Sequence, residues 1–342
     1  MKKYNVGIIG YGWVATAHIP AINATTQGQV TAVCSNRPLD PADMSRKHGG
    51  TIKAYSAYDA MLADQSIDVI SVCSYPWMHA DHVLKAARAG KQIIIEKPLA
   101  LSWKQCVEMR EAVKKARVRT CVCFEVRYST QFLSIRALIE SGLLGEIHYG
   151  EVDYFHGIGP WYGQYRWNIK KNGGGSSLLS AGCHALDALL LCMGGDVTEV
   201  QSLATGSRSK HFQAYEYKTT QVNLLRFKDG RVGKCASVID CLQPYYFHTH
   251  LVGSEGSLLD NKWHSQKLGS LNKNKWSELS FSPVDSGDVK DHPYQTQFQA
   301  FFDALDRDEE MPLTSLADAL RSHAVLFAAD ASAKTGKPVK VA

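Results

Sequence analysis

The chain has 342 residues, of which 45% are hydrophobic and 21% charged, and its formal net charge is +5. This length predicts two domains that each bury a core, and the composition excludes an intrinsically disordered chain. Because the lysines and arginines are dispersed and form no basic block, the charge argues against a protein that binds nucleic acid.

The nine cysteines are an odd number and lie mostly in apolar runs, and no C-x-x-C pair indicates zinc or redox chemistry. We therefore expect free thiols in a reducing compartment. The N-terminal Met1-Lys2-Lys3 enters a strand pattern directly, and no apolar run approaches the ~20 residues that a membrane span requires. These features predict a cytoplasmic protein that does not bind a membrane.

The N-terminal part alternates short β-branched runs with helical stretches, which is typical of βαβ units around a parallel sheet. The predicted strands are Val6–Ile9, Val30–Cys34, Val69–Cys73, Gln92–Ile95 and Thr120–Phe124. The predicted helices are Ala15–Ala24, Tyr58–Ala63, His79–Ala89 and Ser102–Ala116, the last with Ser102 as its N-cap. We expect residues 1–122 to form a doubly wound Rossmann domain of the α/β class.

The pattern changes after Arg127, where strands follow strands. After a helix over Thr130–Ser141, the predicted strands are Glu146–Phe155, Val197–Thr205, Thr219–Phe227, Gly233–Asp240, Tyr246–Gly253 and Gly256–Asp260. Lys228-Asp229-Gly230 predicts a hairpin turn. Further helices are predicted over Ser180–Met193, Gln295–Leu305 and Ser315–Lys334. Residues 123–342 are thus expected to form an α+β domain with a mostly antiparallel open sheet.

A glycine turn follows the first predicted strand. Gly10-x-Gly12-x-x-Ala15 lies between that strand and a helix, where such a turn places a pyrophosphate on the helix N-terminus. Gly10, Gly12, Trp13 and Val14 are therefore predicted to bind a dinucleotide.

The end of the second strand bears on the choice between NAD and NADP, because an acidic residue there binds the ribose 2′-hydroxyl. Here the strand ends in Cys34-Ser35-Asn36-Arg37. Ser35 and Asn36 can donate hydrogen bonds to a phosphate and Arg37 can pair with it, which favours NADP over NAD. In the alternative, Arg37 is a solvated loop residue and Asp40 or Asp43 reaches the ribose.

Glu96-Lys97-Pro98 follows the apolar run Ile93-Ile94-Ile95, which puts a lysine at the end of a buried parallel strand. Ligands react at that edge of an open α/β sheet. A cation there can hydrogen-bond a substrate hydroxyl and stabilise the alkoxide that forms as hydride leaves. Glu96 would point to the opposite side, which favours a structural role over catalysis.

A glycine loop at residues 173–175 leads into the predicted helix that contains Ser180, His184 and Asp187. Ser180 and His184 are four residues apart and so share a helix face, and Asp187 can reach the ring of His184. A histidine so oriented can accept the hydroxyl proton. The alternative is a structural histidine.

An aromatic segment between Tyr154 and Trp167 contains three glycines and several polar-tipped rings. The candidate substrate contacts are Tyr154, His156, Trp161, Arg166 and Trp167. Such side chains stack on sugar rings and hydrogen-bond hydroxyls, so a carbohydrate or polyol fits; the alternative is a packed aromatic loop. His248 and His250 alternate on a strand and share a face, but no third ligand stands at a telling spacing, so no metal is predicted.

These motifs together resemble the Gfo/Idh/MocA family of glucose-fructose oxidoreductase, inositol dehydrogenase and rhizopine catabolism proteins. The resemblance rests on the glycine turn, Pro76-x-x-His79, Glu96-Lys97-Pro98, Arg127, the stretch from the glycine loop to His184, and the closing residues 332–339. It implies Lys97 and His184 as the catalytic pair and an open sheet that commonly forms the subunit interface, hence a homo-oligomer, a dimer or tetramer. The motif positions expected near the cofactor are Ser74, Pro76, His79, Glu96, Lys97 and Arg127.

The sequence departs from the family pattern at Ser180, which occupies the slot of the usual aspartate four residues before the histidine. A neutral hydroxyl cannot raise the pKa of His184 as a carboxylate would. Either Ser180 contacts the substrate or Asp187 compensates.

The sequence therefore predicts an NAD(P)-dependent oxidoreductase that acts on a secondary hydroxyl or carbonyl of a sugar, polyol or glycoside. One alternative is a redox-assisted glycoside-cleaving enzyme with a tightly held cofactor and no net cofactor turnover. The other is a nicotinamide-sensing regulatory protein without catalysis, against which Lys97 and His184 argue.

Overall fold

The chain divides into two compact units in a computed structural model that describes residues 2–283 and 292–341. The first unit is Met1–Glu125 with His292–Leu320, and the second is Val126–Asp291 with Arg321–Ala342. The sequence placed the boundary after residue 122 and assigned residues 292–320 to the second domain. They return to the first unit, where Gln297 Nε2 donates to the Val122 carbonyl oxygen at 2.8 Å.

The first unit is built on a six-stranded parallel sheet in the order β3-β2-β1-β4-β5-β6. Its strands are β1 (Tyr4–Ile9), β2 (Gly28–Cys34), β3 (Lys53–Tyr55), β4 (Val69–Val72), β5 (Gln92–Ile95) and β6 (Thr120–Val122). Its helices are α1 (Ala15–Asn23), α2 (Pro41–His48), α3 (Tyr58–Ala63), α4 (His79–Arg88) and α5 (Trp103–Ala116). This strand order is that of the Rossmann fold and confirms the predicted doubly wound sheet.

Two elements of the first unit escaped prediction for physical reasons. Strand β3 has only three residues at the sheet edge, none of them buried. Helix α2 buries only Met44 and therefore has no apolar stripe. Its N-terminus is stabilised by Asp40, whose carboxylate accepts a hydrogen bond from the Ala42 N–H.

The second unit is built on a nine-stranded sheet in the order β14-β13-β12-β11-β7-β10-β9-β8-β15. Its strands are β7 (Ile147–Phe155), β8 (Val197–Thr205), β9 (Thr220–Phe227), β10 (Val232–Val238), β11 (Tyr246–Gly253), β12 (Gly256–Leu259), β13 (Lys262–Ser265), β14 (Ser277–Glu278) and β15 (Val339–Lys340). Among the strand pairs in the described part of this sheet, only β7–β10 is parallel, so the expected mostly antiparallel sheet is confirmed.

The helices of the second unit are α6 (Thr130–Glu140), α7 (Tyr165–Asn168) and α8 (Cys183–Met193). Helix α9 (Tyr294–Asp306) lies in the first unit, and α10 (Leu316–Thr335) contains residues of both units.

The two faces of the nine-stranded sheet differ. Helix α8 packs on β7 and β10. Along β9, Leu225 and Phe227 are buried, whereas Val222 and Leu224 are exposed on the other side, which we call the open face.

None of the helices in residues 2–283 and 292–341 combines the length and the hydropathy needed to cross a membrane.

Candidate active site

The glycine turn brings the backbone after β1 very close to the end of β4. Gly10 has φ +92°, and a Cβ there would lie 2.8 Å from the backbone of Cys73 and Ser74, so a side chain is excluded. Helix α1 then begins without a side-chain cap and without an acidic residue in its first turn. Because its first N–H groups and its dipole suit an anion, the turn fits a dinucleotide pyrophosphate.

The residues after β2 form a small polar loop. The Ser35 hydroxyl oxygen accepts the Arg37 N–H at 3.1 Å, and the Arg37 guanidinium donates to the Tyr11 carbonyl oxygen at 2.6 Å. The two aspartates considered as alternative ribose ligands have partners of their own. Asp40 caps α2, and Asp43 forms an ion pair with Arg46. Arg37 and Asn36 are both exposed.

His79, predicted near the cofactor, lies inside the fold between the ends of β4 and β5. Its ring is buried, with Nε2 3.0 Å from the Ser74 carbonyl oxygen and Nδ1 2.8 Å from the Pro98 carbonyl oxygen. Burial lowers the pKa of His79. The Ser74 hydroxyl lies 2.9 Å from His82 Nδ1, and Pro76 is buried at the start of a short 3-10 turn. The ring of His79 thus lies between the two strand ends, and as a neutral imidazole it donates its single N–H to one of the two carbonyl oxygens.

Glu96 is also turned inward, in agreement with a structural role; the cofactor contact expected from the motif stays a prediction. Its carboxylate lies 2.8 Å from His18 Nε2 and accepts hydrogen bonds from the Tyr294 hydroxyl at 2.8 Å and from the Lys97 N–H at 3.1 Å. Burial would raise the pKa of Glu96, but His18, Lys97 and Tyr294 lower it to about 2. Glu96 therefore anchors the backbone of Lys97 at the carboxyl end of β5.

His18 completes this buried network. Its Nδ1 lies 2.9 Å from the Ser71 hydroxyl, and its ring packs against Tyr294 and Phe298. Burial opposes a charge on His18, but Cys73 and Glu96 raise its pKa to about 10. A protonated His18 beside an ionised Glu96 is a buried ion pair, which keeps its geometry because each partner has further hydrogen bonds.

Sequence reasoning missed a second buried carboxyl group at this edge, Glu125. Burial and the charge of Glu96 raise its pKa to about 8, while the positive charge of Lys97 acts in the opposite direction. Its Oε1 lies 3.7 Å from His292 Nε2. The only signal in the sequence was an acidic residue directly after a buried strand.

In the second unit, the segment before His184 is not a regular α-helix. Leu178–Gly182 form a π-helical turn that continues into α8, and His184 is buried in the first turn of α8. A π turn changes the rotation per residue, so the four-residue spacing between Ser180 and His184 does not define a shared face. The Ser180 hydroxyl lies 3.4 Å from the Tyr217 hydroxyl. Gly182 allows close approach to β10, because a Cβ there would lie 2.3 Å from the Ser237 Cβ.

Asp187 does not serve as the predicted partner of His184. Both of its carboxylate oxygens accept hydrogen bonds from Arg127, at 2.6 and 2.7 Å, and one also accepts from the Ser322 hydroxyl at 2.6 Å. Arg127 and Asp187 are buried. This bidentate ion pair joins the segment before α6 to α8. The expected position of Arg127 near the cofactor stays a prediction.

The aromatic segment separates into packed and exposed parts. Tyr154 and His156 are buried, with the Tyr154 hydroxyl 3.0 Å from His156 Nδ1, and both rings pack against Tyr245. Tyr154 and His156 are therefore packed side chains, as in the alternative interpretation of this segment as a packed aromatic loop. Trp161 is 60% exposed, Arg166 is exposed and Trp167 is half-buried.

His248 and His250 lie on the open face, away from this aromatic cluster. The structure brings Glu151 of β7 beside them, which supplies the third potential ligand that the sequence spacing did not show.

Comparisons with known proteins agree with this architecture. Residues 4–124 match the model described as "Oxidoreductase family, NAD-binding Rossmann fold", and residues 132–259 match the "GFO/IDH/MocA C-terminal domain". Scyllo-inositol 2-dehydrogenase (NAD(+)) of Bacillus subtilis (strain 168) is 24% identical, covering 98% of this chain and 95% of that protein. D-glucoside 3-dehydrogenase of Escherichia coli (strain K12) is 30% identical over 55% of this chain and 54% of that protein.

Among solved structures, levoglucosan dehydrogenase in complex with NADH and levoglucosan superimposes with a TM-score of 0.86 at 21% identity, covering 99% of this chain and 100% of that one. At 21% identity, this structural similarity is evidence for a shared fold only. With both domain models matched in order along the sequence, the chain belongs to the Gfo/Idh/MocA family of oxidoreductases with an NAD-binding Rossmann fold.

Proposed function

We propose that this protein transfers hydride between NAD(P) and a secondary hydroxyl or carbonyl of a sugar, polyol or glycoside. The observation that carries the proposal is the position of Lys97, at the carboxyl end of β5 and with its N–H fixed by the buried carboxylate of Glu96. Relatives named as scyllo-inositol, D-glucoside and levoglucosan dehydrogenases support this substrate class.

In this proposal Lys97 polarises the substrate oxygen. Its ammonium hydrogen-bonds the hydroxyl and stabilises the negative charge that develops on the oxygen as the C–H bond breaks. A nicotinamide cofactor, whose pyrophosphate the turn at Gly10 would hold, would supply the hydride acceptor for this oxidation. His184 accepts the hydroxyl proton, and in the reverse direction it returns the proton to the carbonyl oxygen.

We further propose that NADP is preferred over NAD. The support is electrostatic, because Arg37 and Asn36 are exposed after β2 whereas Asp40 and Asp43 have partners of their own. Arg37 is held by the Tyr11 carbonyl oxygen beside the glycine turn.

For the substrate, we propose direct contacts from Trp161, Arg166 and Trp167, with Ser180 as a neutral hydroxyl that hydrogen-bonds the sugar. Trp161 has an exposed ring face, and its Nε1–H donates to the Gly157 carbonyl oxygen at 2.9 Å, which fixes the ring for stacking. Tyr154 and His156 support this segment from within.

We also propose that the protein forms a homo-oligomer through the open face of the second sheet. Leu203, Val222, Leu224 and Val232 lie exposed on adjacent strands, between 37% and 68% accessible. Exposed apolar side chains grouped on adjacent strands favour such an interface. Light scattering coupled to size-exclusion chromatography would show a dimer or tetramer, and a Leu224→Glu variant should be smaller.

Substitution of the two proposed catalytic residues tests the mechanism. Lys97→Met and His184→Asn should each abolish turnover of a sugar substrate while cofactor binding, followed by nicotinamide fluorescence, is kept. Lys104→Met is the matched control, since Lys104 is an exposed lysine of α5. Substantial turnover by the Lys97 or the His184 variant would refute the role of that residue.

A further inference from the structure

A separate cluster of potential metal ligands lies on the open face of the second sheet, at the centre of β7 and β11. His250 pairs directly with Glu151 across these antiparallel strands, and His248 lies two residues away on the same face. One ligand atom from each of the three side chains lies within 4.8 Å of the others. We call Glu151, His248 and His250 the open-face cluster.

A neighbouring carboxylate orients His248 of the open-face cluster. His248 Nδ1 lies 3.0 Å from Asp260 Oδ1, and His248 Nε2 is directed at Glu151 Oε1, 3.9 Å away. Asp260 is itself fixed by the Thr249 N–H and the Tyr246 hydroxyl. A carboxylate on one ring nitrogen of a histidine, with the other nitrogen toward the ion, is the usual arrangement around a metal-binding histidine.

Glu151 is oriented in the same way. Its Oε2 accepts a hydrogen bond from the Tyr149 hydroxyl at 2.7 Å, which leaves Oε1 toward His248. Burial would raise the pKa of Glu151, but Lys234 and Tyr149 lower it, so the carboxylate is ionised at neutral pH.

The charges around the open-face cluster favour a cation. Three carboxylates, Glu151, Asp153 and Asp260, lie in or beside the cluster. Lys234 pairs with the first two, its Nζ lying 2.6 Å from Glu151 Oε1 and 2.5 Å from Asp153 Oδ2, whereas Asp260 contacts His248. Lys234 can stay with Asp153 alone, because that carboxylate also accepts the Ala236 N–H. An ion at Glu151 would therefore displace Lys234 from one of its two partners only.

We propose that Glu151, His248 and His250 bind a first-row divalent metal ion such as Zn²⁺, with Asp260 as the outer partner of His248. Two imidazoles and one carboxylate are the donor set that Zn²⁺ accepts, with a further position for water or for a group from another copy of the chain. The site is independent of the proposed oxidoreductase activity.

Metal titration of the full-length protein tests the proposal. After treatment with a chelator, calorimetry with ZnCl₂ should show one ion per chain, and Co²⁺ should give a visible spectrum typical of nitrogen and oxygen ligands. His250→Asn and Glu151→Gln should each abolish saturable binding. Asp260→Asn should weaken it about 10- to 100-fold, the usual effect of losing an outer partner.

Lys234→Met distinguishes a metal site from a cluster of carboxylates that is built to bind Lys234, because these two explanations predict opposite changes in Zn²⁺ affinity. If the ammonium competes with the ion for Glu151, its removal should tighten Zn²⁺ binding by tenfold or more, an order of magnitude set by charge repulsion at short range. If Lys234 is the intended partner of the carboxylates, the variant should lose stability and gain no affinity.

His148→Asn is the matched control, since His148 is an exposed histidine of β7 outside the open-face cluster, and it should bind Zn²⁺ as the parent does. Far-UV circular dichroism and NADH fluorescence check that each variant is folded. The proposal is overturned if the parent shows no saturable binding, or if His250→Asn binds as tightly as the parent.

Discussion

Replacing Glu125 by glutamine should stabilise the protein at neutral pH, although it removes a buried acidic residue. Burial and the nearby charge of Glu96 raise the pKa of Glu125 from 4.5 to about 8. The folded protein therefore keeps a proton that the unfolded chain loses, so the stability contributed by the neutral carboxyl is complete below pH 4.5 and declines as the pH rises toward 8. Glutamine has nearly the same shape as the neutral acid and has no proton to lose.

The magnitude follows from the pKa difference. One pKa unit corresponds to about 1.4 kcal/mol, so the penalty on the wild-type protein at pH 7 is about 3 kcal/mol, and at pH 5 it is below about 1 kcal/mol. The Glu125→Gln protein should therefore exceed the wild type in free energy of unfolding by about 3 kcal/mol at pH 7 and by less than about 1 kcal/mol at pH 5.

Urea denaturation followed by circular dichroism at several pH values between 5 and 8 measures this difference. A gap that widens as the pH rises is expected. A variant that is destabilised at pH 7, or a gap that does not change with pH, would refute the assignment of a neutral buried carboxyl. Because the charge of Lys97 also acts on Glu125, the same ionisation should appear in the pH profile of turnover and disappear in the variant.

Three further predictions concern single contacts. Asp187→Asn leaves the buried guanidinium of Arg127 without its bidentate partner, so it should cost about 3–5 kcal/mol of unfolding free energy in urea denaturation; a loss below 1 kcal/mol would contradict a buried ion pair. Tyr294→Phe removes a hydrogen bond to the ionised Glu96 and should cost about 1.5–3 kcal/mol, read as a lower Tm; an unchanged Tm would count against that bond. Arg37→Ala should weaken NADP binding at least tenfold and leave NAD binding nearly unchanged, measured by fluorescence titration; equal losses for both cofactors would end the argument for NADP.

The strand pattern of the first unit could be predicted because it is local. Runs such as Ile93-Ile94-Ile95 are apolar on both faces of the sheet, and the observed strand β5 spans Gln92–Ile95, as predicted. The position of Lys97 at the sheet edge followed from the same run. Short edge strands such as β3 and polar helices such as α2 bury few or no side chains, so their sequences show no apolar periodicity from which they could be predicted.

The surroundings of Lys97 could not be predicted, because their partners are distant in sequence. His18 lies 78 positions from Glu96, and Tyr294 lies 198 positions from it. His18 in the apolar helix α1 indicated a buried polar contact, but the sequence did not show which residue would be its partner.

The error at Asp187 has a similar cause. The three-residue spacing from His184 allowed a contact within the helix, but Arg127, 60 residues away, and Ser322, 135 residues away, take the carboxylate. A planar guanidinium that binds both oxygens is a stronger partner than a ring nitrogen that meets one. The π turn before α8 also altered the helical register on which the Ser180 interpretation depended.

The most direct test of the proposed activity is to incubate the purified protein with NADP or NAD and a panel of free sugars, polyols and glycosides, recording nicotinamide absorbance and sugar products in the same samples. The proposal predicts that one sugar class reduces the cofactor in a one-to-one ratio with product, and that Lys97→Met abolishes both signals. Product formed without net reduction of the cofactor would contradict it and would identify a redox-assisted glycoside-cleaving enzyme instead.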